Sequence, residues 1–294
     1  MRRTLPYAAV AGAAILFGST FTVIKSAVES MPPMAFITWR FLIAAAVLLF
    51  IKRPGSRRVW RDGILAGSFL FIGFAAQTQG LVTTSASNSA LITGLYVIMV
   101  PLFVAVAKRS RPTLATLLGA GTGVFGLALL TNTSLSEVVT GSLHRGDLLT
   151  IAAATAFASH IVALSYTARS HHLIEFAAVQ MLTVAGMGAV MSAILEGLPL
   201  PARTDLSALI MTGLIVSIGA FLLQIWGQSH MSAARAGIIL SIEPVVGAGL
   251  AAMILGEQLD VKAWMGAALI VGSIYIVNVG HERRSNCARN DLSK

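Results

Sequence analysis

One cysteine in 294 residues, Cys287 near the C-terminus, excludes an intramolecular disulfide, a cysteine-rich zinc site and an iron–sulfur cluster. Charge is also scarce: 11% of residues are charged against 56% hydrophobic, and the mean hydropathy is +0.80. One water-soluble core cannot hide that much apolar surface, so the chain needs lipid as solvent. Acid is scarcer than base, 12 Asp and Glu against 21 Lys and Arg. The basic residues form no patch or amphipathic face that would suit nucleic acid; they sit in short gaps between apolar runs. No Walker loop, HExxH helix or nucleophile elbow is present, so no catalytic residue, metal or cofactor is expected. Gly121-Thr122-Gly123-Val124-Phe125-Gly126 spells G-x-G-x-x-G inside an apolar run with no strand before it, and Gly119 and Gly123 are expected instead to make a helix-packing face.

What is present is a series of apolar runs long enough to cross a hydrocarbon core of about 30 Å. Ten spans are expected, at about 7–24, 33–51, 63–81, 87–107, 113–131, 147–166, 173–194, 206–226, 234–255 and 263–279. With the N-terminus inside, fifteen Lys and Arg fall on the cytoplasmic side. Four, Lys25, Arg145, Arg203 and Lys262, fall outside, and Arg40 and Arg235 lie within or at the edge of spans. That bias predicts a multi-pass protein of the inner (plasma) membrane with both termini cytoplasmic. Arg2 and Arg3 before an apolar run imitate a signal peptide, but nine further spans follow, and residues 7–24 are expected to stay as the first helix.

The chain also contains a faint copy of itself. Phe74-Ala75-Ala76-Gln77-Thr78-Gln79-Gly80 returns 147 residues later as Phe221-Leu222-Leu223-Gln224-Ile225-Trp226-Gly227, followed in each copy by Ser-Ala at Ser85 and Ser232. At an offset of 140, Leu16-Phe17-Gly18-Ser19 faces Ala156-Phe157-Ala158-Ser159, and Arg40 faces Gln180. Two halves that each hold five spans must lie antiparallel, a construction common in secondary transporters with substrate near the midplane. The expected fold is therefore all-α and integral to the membrane, ten transmembrane helices in two inverted five-helix repeats, at 7–131 and 147–279. A linker at 132–146 joins them, and residues 280–294 form a cytoplasmic tail.

Phe17-Gly18-Ser19-Thr20-Phe21 with Lys25, Arg40-Phe41-Leu42, Ser87-Asn88-Ser89-Ala90, Ser232-Ala233-Ala234-Arg235-Ala236, Glu243-Pro244 and Gly256-Glu257 occur in an order that resembles the drug/metabolite transporter superfamily, EamA type. The resemblance implies a ten-helix carrier, and amino acids or related metabolites moved outward. Tyr96-Val97 stands where the first half would repeat the acid-proline pair, with Pro101 one turn later, so the bend in that helix is expected about one turn away.

Glu243 lies about ten residues into its span, roughly 15 Å deep. A carboxyl there is expensive, so it should face the bundle interior as a proton or substrate-ammonium site, or as a protonated structural group. Arg40, about 10 Å from the outer end of its span, must pair or reach water, and could take a substrate carboxylate. Gln77 and Gln224 hold equivalent places and could offer amides to a zwitterion or bind neighbouring helices. Phe17, Tyr96 and Trp226 could wall a cavity, Ser19 and Asn88 come from the quoted motifs, and His160 is a second proton-coupling candidate. The expected partners are lipid, a small-molecule substrate and a driving gradient. A membrane-embedded transferase, or a channel or signalling subunit, is the alternative. Cysteines placed at Ser56 and Ser110 should react with an impermeant thiol reagent only from the cytoplasmic side, and one at Ser136 only from outside; labelling of Ser56 and Ser136 positions from the same side would overturn the inverted arrangement.

Overall fold

A computed structural model of the chain describes residues 4–111, 113–130, 143–273 and 275–276. The linker and tail expected at 132–146 and 280–294 thus lie largely outside the described residues. Among those residues the chain forms ten helices: α1 (Leu5–Ser30), α2 (Pro33–Ile51), α3 (Arg57–Leu81), α4 (Ala86–Ala107), α5 (Leu117–Leu130), α6 (Arg145–Ser170), α7 (Leu173–Leu195), α8 (Arg203–Gln228), α9 (Ala233–Ile254) and α10 (Val261–Ser273). Eight are long and apolar enough to span a membrane; α5 and α10 are shorter. Several begin earlier than the apolar runs. In α3, Ser56 caps the amide of Val59, and the first turns carry Arg57, Arg58, Arg61 and Asp62. Those polar turns hydrogen-bond as well in water as the apolar ones do in lipid, so hydrophobicity marks the span and misses the helix end.

Most helix contacts run between the halves. α2 packs on α7 and α8, α3 on α6 and α7, α1 on α8 and α9, and α4 on α6 and α9. Exchanging α1 with α6, α2 with α7, α3 with α8 and α4 with α9 maps these pairs onto themselves. Gly123, expected to pack helices, does so: a Cβ there would lie 2.7 Å from Ile98 Cδ1 of α4 and 3.3 Å from Ser273 Oγ of α10. Gly126 packs on α10 as well, where a Cβ would lie 2.9 Å from the Gly266 carbonyl oxygen.

The face on which α1 ends is tied by charged groups. Lys25, expected outside the spans, lies within α1 and donates from Nζ to the carbonyls of Leu81 (2.7 Å) and Thr84 (2.9 Å). Thr84 donates to Asp147 at 2.6 Å, and the Ala86 and Ser87 amides donate to the two oxygens of Glu257, each at 2.8 Å. The amides of Met34 and Ala35 donate likewise to Glu196, at 2.9 and 2.7 Å. The Glu257 and Glu196 carboxylates meet amides that the first turn of a helix leaves without an intrahelical partner, where the helix dipole favours negative charge. On the opposite face Lys52 pairs with Glu175 at 3.1 Å, and Asp62 with His171 at 2.8 Å. Every one of these ties joins ends that ten alternating spans would place on the same side.

α1 is broken between Leu5–Gly18 and Thr20–Ser30, and the break rests on α9. A Cβ on Gly18 would fall 2.7 Å from the Glu243 carbonyl oxygen and 2.8 Å from Val246 Cβ. Gly18→Ala should therefore lower the melting temperature in detergent, by an overpacking cost of about 1–3 kcal/mol. Gly12→Ala, where the nearest atom would be Leu223 Cδ1 at 3.6 Å, should leave it unchanged.

Candidate functional site

Between α1, α3, α4, α6, α8 and α9 lies a small cavity. It is lined by Phe17, Thr20, Leu70, Phe74, Gln77, Tyr96, Phe157, His160, Ile161, Phe221, Gln224, Leu240 and Glu243. Ten of these form five pairs at the repeat offsets: Phe17 with Phe157, Thr20 with His160, Phe74 with Phe221, Gln77 with Gln224 and Tyr96 with Glu243. The aromatic walls follow the same exchange. Phe17 meets Phe221 edge-on at 4.9 Å between centroids, and the equivalent contact, Phe157 with Phe74, is edge-on at 5.2 Å. Edge-to-face packing puts the positive rim of one ring on the negative face of the next.

The polar end of the cavity is built by a proline. Pro244 has no N–H, so the carbonyl of Leu240, four residues earlier, loses its helical donor and α9 breaks at Ser241. Tyr96 on α4 supplies the missing donor: its hydroxyl lies 2.9 Å from the Leu240 oxygen and 3.0 Å from Glu243 Oε2. A phenol has one proton and cannot donate to both. With Glu243 ionised, Tyr96 donates to the carboxylate; with Glu243 protonated, the acid can donate to Tyr96 and Tyr96 to Leu240. The ring of Pro244 meanwhile seats on Gly94, where a Cβ would stand 2.9 Å from Pro244 Cγ. α4 breaks there, between Thr93 and Tyr96, which is the repeat position of Ser241. The expected one-turn displacement of the bend is thus corrected: contact with Pro244 fixes the break in α4, and Pro101 lies within the following helix.

The other polar groups divide by how far the protein satisfies them. Gln77 donates to Thr93 at 3.1 Å, and His160 Nε2 lies 2.8 Å from Gln180 Oε1, a buried pair between α6 and α7. Thr20 returns its hydroxyl to the Phe17 carbonyl at 2.7 Å. Among the described residues the Gln224 side chain has no protein partner, and neither has Oε1 of Glu243.

Of the candidates drawn from the sequence, Phe17, Gln77, Tyr96, His160, Gln224 and Glu243 face this cavity and four do not. Arg40 is 1% exposed and has no acidic partner among the described residues; its Nε donates to Ser217 at 2.9 Å, and its guanidinium lies 5.0 Å from the centroids of both Phe41 and Phe74. Ser217 belongs to the π-helical stretch Met211–Ala220 of α8, whose wider turn lies against α2. Trp226 is 37% exposed and packs on His230 at the end of α8, one residue past the side that carries Gln224 and Ile225 inward. Ser19 is turned back to the Leu16 carbonyl, and Asn88 sits in the first turn of α4, capped by Ser85, away from the cavity. The sequence reading missed Phe74, Phe157 and Phe221 as lining residues, although all three stand inside the repeated segments, and Thr20, although it stands in a quoted motif; Leu70, Ile161 and Leu240 carried no signal.

The chain matches the EamA-like transporter family over residues 4–132 and again over 144–279. It belongs to that family. An "Uncharacterized transporter" of Archaeoglobus fulgidus is 29% identical over 267 residues, covering 90% of this chain and 83% of the relative. The "Uncharacterized inner membrane transporter YedA" of Escherichia coli is 26% identical, covering 95% of this chain and 92% of the relative. A solved crystal structure at 22% identity superposes with a TM-score of 0.67, over 93% of this chain and 96% of that one, and shares the fold. The chain is thus a multi-pass membrane protein of a transporter family.

The geometry places the Tyr96 hydroxyl where it can serve either of two acceptors, one at a time. Tyr96→Phe should leave the Leu240 carbonyl and Glu243 without a donor and cost about 1–3 kcal/mol. Thermal unfolding in detergent should show it, and an unchanged melting temperature would mean that water replaces the hydroxyl.

Proposed function

We propose that this protein is a secondary carrier that exports small metabolites, amino acids or their relatives, by alternating access at the cavity between α1, α3, α4, α6, α8 and α9. The observation that carries the reading is the lining itself, in which residues at equivalent places of the two halves meet around one space. An inverted pair of five-helix halves, with both termini cytoplasmic and the cavity near the membrane midplane, accounts for that arrangement and for the alternation of ties between the two faces. The names of the relatives favour a transporter over an enzyme. Gln77, Gln224, Tyr96 and Phe17 are the proposed substrate contacts, and Glu243 is the proposed proton-coupling group. It is the one carboxyl in the lining, 9% exposed, with one oxygen held by Tyr96. His160 is a weaker candidate because Gln180 already holds its ring.

Counterflow of labelled substrate in liposomes tests the carrier reading, since only a carrier couples entry of label to exit of preloaded unlabelled substrate and so accumulates label transiently above its outside concentration. Glu243→Gln keeps the shape of the side chain and fixes it neutral. It should abolish gradient-driven accumulation while leaving passive exchange intact. Retention of pH-dependent accumulation would make Glu243 structural, and loss of both activities in a folded mutant would assign it to direct substrate binding.

A further inference from the structure

The lining of the cavity holds one acid and no permanent cation. Arg40, the cation expected to meet a substrate carboxylate, is absent from the lining. The rings of Phe41 and Phe74 lie against its guanidinium at 5.0 Å each, its Nε is committed to Ser217, and of those two rings only Phe74 reaches the cavity. Lys25, further along α1, spends its ammonium group on the Leu81 and Thr84 carbonyls. The titratable groups that face Glu243 are Tyr96 on α4, already bonded to it, and His160 on α6 across the cavity, held by Gln180. From α1 the lining residues are Phe17 and Thr20, from α3 Leu70, Phe74 and Gln77, and from α8 Phe221 and Gln224, none of them ionisable.

A carboxylate entering this space would have to shed water opposite Glu243 with no cation to receive it, and an unpaired buried charge is the costliest thing a binding site can hold. An ammonium group meets the reverse. The printed bond to Glu243 among the described residues is through Oε2, leaving Oε1 for a ligand, and four phenylalanines line the same space; aromatic faces attract cations. The Gln224 amide, also without a protein partner, adds a carbonyl acceptor for a second N–H. We infer that the substrate of this cavity is a hydrophobic amine without a carboxylate, a compact aromatic or branched-aliphatic amine of the kind left when an amino acid loses its carboxyl group. This rests on the carrier reading above and narrows it to one end of the proposed class. In the bound state the ammonium would sit between Glu243 and Gln224, with the apolar body against Phe17, Phe74, Phe157 and Phe221.

Three probes built on one phenethyl frame separate the possibilities: phenethylamine, which carries only the amine, phenylalanine, which carries both groups, and 3-phenylpropionate, which carries only the carboxylate. Ligand bound to the folded form raises the melting temperature by mass action, so thermal shifts of the purified full-length protein rank them. Phenethylamine should stabilise the protein at concentrations at least about tenfold below phenylalanine, and 3-phenylpropionate should have no effect. Glu243→Gln should raise the phenethylamine concentration needed for a given shift at least about tenfold without abolishing the response, so that exchange persists at high substrate, while leaving the ligand-free melting temperature close to that of the parent. Arg40→Lys should keep the response, because the arginine does not reach the ligand. Equal or stronger stabilisation by phenylalanine or 3-phenylpropionate would overturn the inference, as would silence towards phenethylamine, tyramine and isobutylamine alike. Counterflow separates this outcome from failure of the carrier reading: amino-acid counterflow without an amine response sinks the amine class alone, and amine binding without counterflow sinks the carrier.

Discussion

A proline that cannot donate sets the centre of this molecule. Pro244 leaves the Leu240 carbonyl without a helical partner deep in the bundle, where an unsatisfied polar group costs several kcal/mol in lipid. The structure answers from the other half of the chain. Tyr96 brings its hydroxyl across, Gly94 makes room for the proline ring, and both helices interrupt their hydrogen bonding at the same level. That crossing of α4 and α9 holds Glu243 in place, and Gly18 lets α1 lie directly against the same stretch. A polar requirement created by one residue thus fixes three helices and the acidic end of the cavity.

The rest of the cavity follows from the repeat. Because Phe17 and Phe157 are equivalent, and Phe74 and Phe221 are equivalent, a wall made once is made twice, and the two edge-on ring contacts differ by only 0.3 Å (4.9 against 5.2 Å). The glutamines follow the rule in position and break it in bonding: Gln77 is tied to Thr93, while Gln224 has no protein partner among the described residues. Tyr96 and Glu243 break it in chemistry, for the same place holds a phenol in one half and a carboxylic acid in the other. Near-symmetric walls with unlike polar groups leave a ligand one preferred orientation.

The spans and their order were legible in the sequence because lipid demands apolar length, and that demand is written in composition. Helix ends were not, since Arg57 to Asp62 continue α3 by capping and hydrogen bonding that hydropathy does not register. The repeated segments pointed to the cavity, and Gln77, Gln224 and Phe17 face it. The same segments contained Phe74 and Phe221, which were passed over because one phenylalanine among many has no distinguishing mark. Arg40 misled for a physical reason. A charge inside a membrane suggests a charged partner, and here two aromatic rings and a serine take that place, an arrangement that depends on contacts between α2, α3 and α8. The break in α4 was misplaced for a similar reason: its cause, the Pro244 ring, sits in another helix 150 residues away (244 minus 94).

The ties at the two faces carry a consequence for energy. At the face where α1 ends, Lys25, Asp147 and Glu257 make charge-assisted bonds across helices. Their equivalents in the other half, which stand toward the opposite face, are Ser165, Tyr7 and Ser110. The equivalence is structural as well as numerical for the last pair, since Gly256 and Arg109, one residue before Glu257 and Ser110, share a positive φ of 65° and 50°. A hydrogen bond to a charged group contributes about 1.5–3 kcal/mol. Opening the clasped face would give up several such bonds, while the other face holds a serine, a tyrosine and a serine at the equivalent places and is tied instead by the Lys52–Glu175 and Asp62–His171 pairs. A fold that is nearly two-fold in shape therefore fastens its two faces by different bonds, and at three equivalent places a charge on one face answers to a hydroxyl on the other.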